Sequence, residues 1–393
     1  MSTKQSLRPR LLVLGASADL YGSDKVLLDI TDSLSGHCDL LVVLPAAGPL
    51  TAQLEDRGVR YLVLEDFAMR KRNMSPRGVL HWIARVLRTS RELGRLHRSR
   101  PFDLVYSNTL AVPTGTLFKL RFRIPHLWHV HEVLEGPKWF CWTLSLVVRI
   151  GSDGVICVSR SVMDQLTKWQ PKLSRKCTVV YNGMPCPAEP ANRPAGPAMI
   201  LGSIGRIYPR KGHGLLLEAV ALVRARGFEC YLKIFGSTLA GEERQLTMLL
   251  EKSRELEISD AVEFAGFVDD PALMYPCLDV LVLASVEPEA LPLACLEAQA
   301  WGLPVIAPNE AGPTEIVVHN ETGLLVPPRD VTALASAIEL LAAAPDARQR
   351  LGRAGRQRVS TEFNPRTFQL KVSALVERAL ARSQVIPAMS SEK

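Results

Sequence analysis

The chain has 393 residues, a net charge of +7 and 47% hydrophobic residues. That length holds two domains of ordinary size or one large one, and the composition excludes a disordered chain. No run approaches the roughly 18 apolar residues of a membrane span, and "MSTKQSLRPR" enters a strand-like stretch without a secretory apolar core, so a cytoplasmic protein is expected.

The first half alternates short apolar runs with helical patterns. Strands are predicted at "LLVLG" (11–15), "LLVVLP" (40–45), "RYLVLE" (60–65), "FDLVYS" (102–107), "HLWHVH" (126–131), "GVICVS" (154–159) and "CTVVYN" (177–182). They are short, largely apolar and often β-branched, as strands buried on both faces should be. Helices are predicted between them, for example over 23–34 and 76–96. The stretch "MPCPAEPANRPAGPA" (184–198) holds five prolines and no apolar period, and reads as a linker. A second series follows at 198–207, 230–236, 262–267, 278–285, 303–308 and 322–328, with helices over 213–226, 239–256, 333–344 and 363–381. Alternation of this kind implies two α/β domains, each a doubly wound parallel sheet, facing across a cleft. The expected boundaries are 1–183, the linker 184–198, 199–362, and a helix-bearing tail 363–393 that packs back on the first domain.

Charge divides with the domains. Residues 1–196 hold 27 Lys/Arg and 16 Asp/Glu, and the remainder 20 and 24. Much of the excess lies in 70–100, "RKRNMSPRGVLHWIARVLRTSRELGRLHRSR", with ten basic residues and one acid. Val79, Ile83, Val86 and Leu93 recur near helical spacing there, with Trp82 at the flank. This reads as a basic amphipathic helix suited to an anionic membrane surface. Nucleic acid is excluded as a partner for want of any binding module. The eight cysteines form no CxxC pair, which excludes a zinc framework and leaves reduced thiols.

Two segments carry chemistry. In "GSIGRIYPRKGHGLLLEAV" a strand ends in a glycine turn flanked by Arg206 and Lys211, and a helix begins near Gly212. Open N–H groups, the helix dipole and two cations suit a diphosphate. GxxxxGK[ST] is absent, as is GxGxxG after the first strand, which weighs against a nucleotide triphosphatase of that type and a nicotinamide dehydrogenase. In "PEALPLACLEAQAWGLPVIA" Glu289 lies in the loop after a strand and Glu297 about two turns into the next helix, which Pro292 is placed to open. Both acids can edge one crevice, where one holds hydroxyls of a reacting group and the other a vicinal diol.

These segments resemble those of retaining glycosyltransferases of family 4, with the GT-B fold. The matching pieces are "GRIYPRKG" (GR-x₄-KG), "EALPLACLEAQAWGLPVIA" (E-x₇-E), "GPTEIV" (312–317) and "TGLLVPPRD" (322–330), covering nearly all of the second domain. "YGSDKVLLDI", "HVHE" and "VVYNGM" resemble the family more loosely in the first. The resemblance implies that Gly205, Arg206 and Lys211 bind the donor diphosphate, Glu297 the ribose, and Glu289 the transferred sugar. Backbone at Ala290, Leu291 and Leu293 would approach the phosphates or the sugar. Gly22 and Ser23 would line the donor or acceptor side, and His131 would face the sugar, with His129 as its structural counterpart two residues back. Many relatives carry Phe-Gly where this chain has Leu291-Pro292, and proline offers no N–H, so donors there fall to Leu291 or Leu293.

The implied reaction moves a sugar from a UDP- or GDP-sugar to a hydroxyl of a saccharide or lipid-linked saccharide, with retention. Arg206, Lys211 and the helix N-terminus would take up charge on the leaving diphosphate, with no metal and no other cofactor expected. Glu289 and Glu297 are not assigned the acid and nucleophile roles of a retaining glycosidase; the resemblance implies front-face attack, with the leaving phosphate as base. The first domain would take the acceptor, and the enzyme would sit peripherally on the inner face of the cytoplasmic membrane during polysaccharide or glycolipid synthesis. A GT-B epimerase or phosphorylase and a non-catalytic GT-B scaffold are the competing readings.

Overall fold

The computed structural model describes residues 8–65, 67–69, 75–191, 196, 198–239 and 241–385. The chain forms two compact units: Met1–Gly183 together with Arg366–Lys393, and Met184–Pro365.

The first unit runs β1 (Arg10–Leu14), α1 (Gly22–Leu34), β2 (Asp39–Leu44), α2 (Pro49–Asp56), β3 (Arg60–Val63), α3 (Pro76–Ser99), β4 (Leu104–Ser107), α4 (Thr114–Phe122), β5 (His126–Val130), α5 (Lys138–Gly151), β6 (Gly154–Cys157), α6 (Arg160–Trp169) and β7 (Cys177–Val179). Its sheet is parallel in the order β3-β2-β1-β4-β5-β6-β7. β1 is "RLLVL" with every residue buried, as a strand with helices on both faces requires. Leu12, Leu14, Phe67, Leu93, Val105 and Phe118 form part of one core.

The second unit runs β8 (Met199–Ile204), α7 (His213–Ala225), β9 (Cys230–Phe235), α8 (Arg244–Glu255), β10 (Val262–Gly266), α9 (Pro271–Met274), β11 (Val280–Val282), α10 (Leu293–Ala300), β12 (Val305–Pro308), α11 (Pro313–Ile316), β13 (Gly323–Val326), α12 (Val331–Ala343) and α13 (Pro345–Glu362). The sheet order is β10-β9-β8-β11-β12-β13, again parallel. α14 (Pro365–Val385) closes the chain and groups with the first unit. It buries Phe368, Val372 and Val376, and the Phe368 ring lies 6.4 Å from that of His129.

Each sheet changes direction once, between β1 and β4 and between β8 and β11. In open parallel sheets the crevice at the carboxyl ends of those strands is the ligand site. The loops that matter are therefore 15–21 and 108–113 in one unit, and 205–212 and 283–292 in the other.

Several expectations are corrected. The apolar set on α3 divides: Val86 and Leu93 are buried, while Val79 and Ile83 face solvent with Leu80 and Leu87. Residues 70–74 of the basic stretch lie outside the described residues. β11 is shorter than 278–285, and α8 begins at Arg244 rather than 239, because a turn occupies the residues before it. Pro292 is the N-cap of α10, one residue ahead of its first turn. Of the Pro-rich stretch, 192–195 and 197 lie outside the described residues; Met184 donates to Phe363 O at 2.8 Å and Ala191 to Trp301 O at 2.7 Å, fastening it along the second unit. Tail residues 386–393 are likewise outside.

Among the described residues no helix is long and apolar enough to cross a membrane. The eight cysteines are free thiols.

β5 and the residue after it carry three imidazoles, His126 and His129 buried and His131 half-buried. His126 is fixed by Gly151 O at 2.5 Å and Ser107 Oγ at 2.9 Å, and His129 by Tyr106 OH at 2.8 Å. Burial pushes His126 down to about 4 and His131 to about 3, and holds His129 well below its ordinary value. The unfolded chain protonates its histidines near pH 6.5 while the folded chain does not. Stability is therefore fully present above about pH 6.5 and is lost as pH falls toward the folded values. At pH 5 the fully buried His126 alone should remove about 2 kcal/mol. Thermal melts followed by circular dichroism at pH 8 and pH 5 check this; equal Tm values would contradict it.

Candidate functional site

In the second unit, β8 ends at Ile204 and the chain turns at Gly205 (φ +148°). A short 3₁₀ turn, Pro209–Lys211, leads through Gly212 (φ +66°) into α7. Glycine is required there for two reasons. The left-handed backbone disfavours a side chain, and a Cβ on Gly212 would stand 1.9 Å from Ala284 O. Gly236 is equally constrained, since its Cβ would stand 1.8 Å from Gly205 O. These close approaches draw the ends of β8, β9 and β11 together.

The junction brings Lys211 and Glu289 into contact, Nζ to Oε1 at 2.7 Å. Their side chains are 24% and 12% exposed. Ser285 donates its hydroxyl to the same Oε1. Burial alone would raise the Glu289 carboxyl, but the Lys211 ammonium and the bonds from Lys211 and Ser285 outweigh it, and the group lies below its ordinary value. Both hydrogen bonds fall on Oε1, and Oε2 accepts none among the described residues. Arg210 holds the loop from behind, donating to Pro288 O at 2.9 Å, with Glu287 3.5 Å away. Arg206 follows Gly205 at the same strand end, half-buried.

Past Glu289, Ala290 and Leu291 are buried and Leu293 opens α10. No hydrogen bond among the described residues takes the N–H of Leu291 or Leu293. Gly312 donates to Glu289 O at 2.9 Å, and a Cβ on Gly312 would meet Ala290 O at 2.2 Å, so the "GPTE" turn backs this loop closely. Glu297 lies one turn into α10, where buried Tyr275 donates to its Oε2 at 2.6 Å and stacks on Trp301 with centroids 6.2 Å apart.

In the first unit, Gly22 and Ser23 are the first residues of α1, Gly22 exposed and Ser23 half-buried. β5 ends at Val130, so His131 stands in the loop just beyond it. Asn108, just past β4, joins the two: its Nδ2 donates to Ser23 O at 2.8 Å, and its Oδ1 meets His131 Nε2 at 3.1 Å. A carbonyl can only accept, so Asn108 must turn its NH₂ toward Ser23 and its oxygen toward the imidazole. His131 then carries its proton on Nε2 and offers Nδ1 as an acceptor. Its ring lies 4.1 Å from that of His129. Glu132 pins the loop, accepting from Thr109 Oγ1, from Leu110 N at 3.3 Å and from His131 N at 3.1 Å.

The structure thus gathers Lys211, Glu289, Gly205 and the α10 start at one sheet edge, and Ser23 and His131 at the other sheet's edge. Asn108, Ser285 and Tyr275 escaped the sequence reading. Asn108 directly follows β4 and Ser285 closes the apolar run three residues past β11, and a polar residue at the end of an apolar run is the only signal that marked them. No group of three or more His, Cys, Asp or Glu side chains suited to a metal occurs among the described residues.

Two family profiles match: one described as Glycosyltransferase Family 4 over residues 22–186, the other as Glycosyl transferases group 1 over 189–358. The glycogen synthase of Mycobacterium tuberculosis is 34% identical over 293 residues, 70% of this chain and 69% of that one. The capsular polysaccharide biosynthesis glycosyltransferase CapM of Staphylococcus aureus is 24% identical over 315 residues, 73% of this chain and 80% of that one. Among solved structures, Alr3699/HepE of Anabaena, crystallised with UDP and glucose, superimposes with a TM-score of 0.81 over 94% of this chain and 100% of that one, at 21% identity, a likeness of fold. The chain belongs to glycosyltransferase family 4, the retaining glycosyltransferases of GT-B fold that take their sugar from a nucleotide-sugar donor.

Proposed function

We propose that this enzyme transfers a hexosyl group from a UDP- or GDP-sugar to a hydroxyl of a saccharide or lipid-linked saccharide in cell-surface polysaccharide or glycolipid synthesis. The observation that carries this is the Lys211–Glu289–Ser285 cluster beside the open N–H groups of Leu291 and Leu293. Glu289, fixed through Oε1, presents Oε2 to sugar hydroxyls. Lys211 has three N–H bonds and spends one on Glu289, leaving two for a diphosphate oxygen. With Arg206, set at the strand end by the turn at Gly205, whose own N–H is given to Phe235 O at 2.9 Å, and with the start of α10, it stabilises charge as the diphosphate leaves. Glu297, oriented by Tyr275, takes the ribose diol. His131 accepts from a substrate hydroxyl at Nδ1, and Gly22 and Ser23 line the same side. Ala290 approaches the ligand through its backbone.

The test is a transfer and donor-hydrolysis assay over a panel of UDP- and GDP-sugars, because a relative 32% identical over 178 residues is a GDP-mannose-dependent mannosyltransferase while one Anabaena structure holds UDP-glucose. Release of nucleotide diphosphate from one donor supports the reading. Silence across the panel, with purified folded protein, would sink it.

The cations replace a divalent metal in this proposal. EDTA should leave turnover within about twofold; abolition restored by Mg²⁺ would overturn metal independence. Tyr275→Phe should raise the donor KM by roughly tenfold with kcat little changed, since it removes one bond to a ribose-holding carboxylate. The basic α3 is proposed to dock on an anionic membrane surface, which brings the enzyme to the cytoplasmic face where a lipid-linked acceptor lies. Co-sedimentation with anionic and neutral vesicles checks it; equal weak binding to both would remove it.

A further inference from the structure

α5 is built inside out. A helix on a sheet ordinarily buries its large apolar side chains and shows small or polar ones. The α5 sequence "KWFCWTLSLVVRIG" does the opposite. Its buried residues are Cys141, Ser145, Val148 and Gly151. Trp139, Trp142 and Ile150 point outward, 69%, 49% and 51% exposed. They fall at i, i+3 and i+11, with half-buried Leu146 at i+7, on one face. The small row has a packing reason, since a Cβ on Gly151 would meet the Thr116 side chain of α4 at 2.1 Å. The fold gives no reason for the tryptophans.

The neighbouring helices continue the pattern. α4 packs between α3 and α5. It exposes Leu120, and α3 exposes Leu80, Ile83 and Leu87. On α3 these give way to a row of exposed arginines, Arg88, Arg91, Arg95 and Arg98, at helical spacing. Lys138 stands exposed beside Trp139. Trp139, Trp142, Leu80 and Ile83 lie within the first eight residues of helices that follow parallel strands. They therefore sit toward the carboxyl edge of the sheet, the edge of Ser23, Asn108 and His131.

We propose that the tryptophan face of α5, with Leu80, Ile83 and Leu87 of α3, inserts into the headgroup–acyl boundary of an anionic bilayer, while the arginine row binds its headgroups. The proposal rests on the docking of α3 given above and adds α5 as the inserting element. Charge selects the occupant. A second copy placed on this face by two-fold symmetry would set one basic rim against another. An anionic bilayer neutralises the rim, and tryptophan, with an apolar body and a polar N–H, is the side chain favoured at that depth.

The experiment uses the full chain and vesicles of phosphatidylcholine alone or with phosphatidylglycerol. Wild type should bind the anionic vesicles, with a blue shift of tryptophan emission. Trp139→Ser/Trp142→Ser should bind them roughly tenfold more weakly and lose the shift, with donor turnover in vesicle-free solution unchanged. Arg88→Glu/Arg91→Glu should also release the protein, and in a salt-dependent way. If the tryptophan variant binds as wild type does while the arginine variant is released, α5 insertion is refuted and α3 docking stands. If wild type binds neither vesicle, both fall. A wild-type dimer in sedimentation that the tryptophan variant breaks would assign the face to a second copy and overturn the proposal.

Discussion

Lys211→Ala is expected to lower kcat/KM by about 10²- to 10³-fold, the loss seen when one preorganised donor to a developing oxyanion is removed. The same change leaves Glu289 in its buried site without its ammonium partner. The folded protein should lose about 2 kcal/mol, less than for a fully dry pair because both side chains keep some solvent. The pH dependence identifies the cause. In wild type the Glu289 carboxyl is held below its ordinary value, so its contribution is present above that value and fades as pH falls through the folded one. Without Lys211 burial dominates and the carboxyl rises, so the folded state loses stability as pH rises through the new value. The Tm deficit of Lys211→Ala relative to wild type should therefore be larger at pH 8 than at pH 5. Lys211→Ala/Glu289→Ala should recover part of the Tm and none of the activity. A deficit that ignores pH would remove the ion pair as its origin.

Asn108→Asp is expected to cost about 10²-fold in kcat/KM and to create a pH dependence that wild type lacks. His131 lies near 3 and stays neutral throughout the working range. A carboxylate in place of the Asn108 oxygen favours the imidazolium and lifts that value. It also faces the Ser23 carbonyl with no N–H to give. As pH falls through the raised value, Nδ1 gains a proton and stops accepting, so kcat/KM of the variant should fall on the acid side while wild type stays level with respect to this group. Nitrogen-15 shifts of the imidazole test the tautomer without any substrate. Protonation on Nδ1 in wild type would contradict the assignment, whatever the kinetics show.

Each of the thirteen strand runs read from the sequence has its strand, and the reason is local. A central strand covered on both faces is an apolar run, the edge strands β3 and β7 keep a short apolar run with an exposed residue, and each run is bounded by glycine, proline or polar residues. The segments around Lys211, Glu289 and Glu297 were legible because a glycine turn, two cations and two acids recur at fixed spacings. Asn108 and Tyr275 were not, because their partners stand 23 and 22 residues away and only the folded sheet edge brings them together; Ser285 was not, because a serine four residues before an acid in a loop carries no spacing signal of its own. The facing of α5 was hidden for a different reason: its large apolar residues Trp139, Trp142 and Ile150 recur at helical spacing on the exposed face, so its apolar period points away from the sheet. α13 was missed because it is held by arginines rather than by an apolar stripe. Arg358 donates to Glu315 O and Ile316 O, and Gly352 lets the helix lie against Gly302.

The tight backbone contacts at Gly212, Gly236 and Gly312 also bear on how donor choice can change. A side chain at any of these positions would collide with a carbonyl of a neighbouring loop, and relieving the collision means moving the loop that carries Lys211 or Glu289. These positions are closed to gradual variation, and each is a fixed hinge of the scaffold. Freedom to accept a different sugar or base is left to the residues between the hinges, at 207–209, 237–239 and 286–288. A library that varies those tips and spares the glycines samples new donors without dismantling the machinery that holds the leaving group.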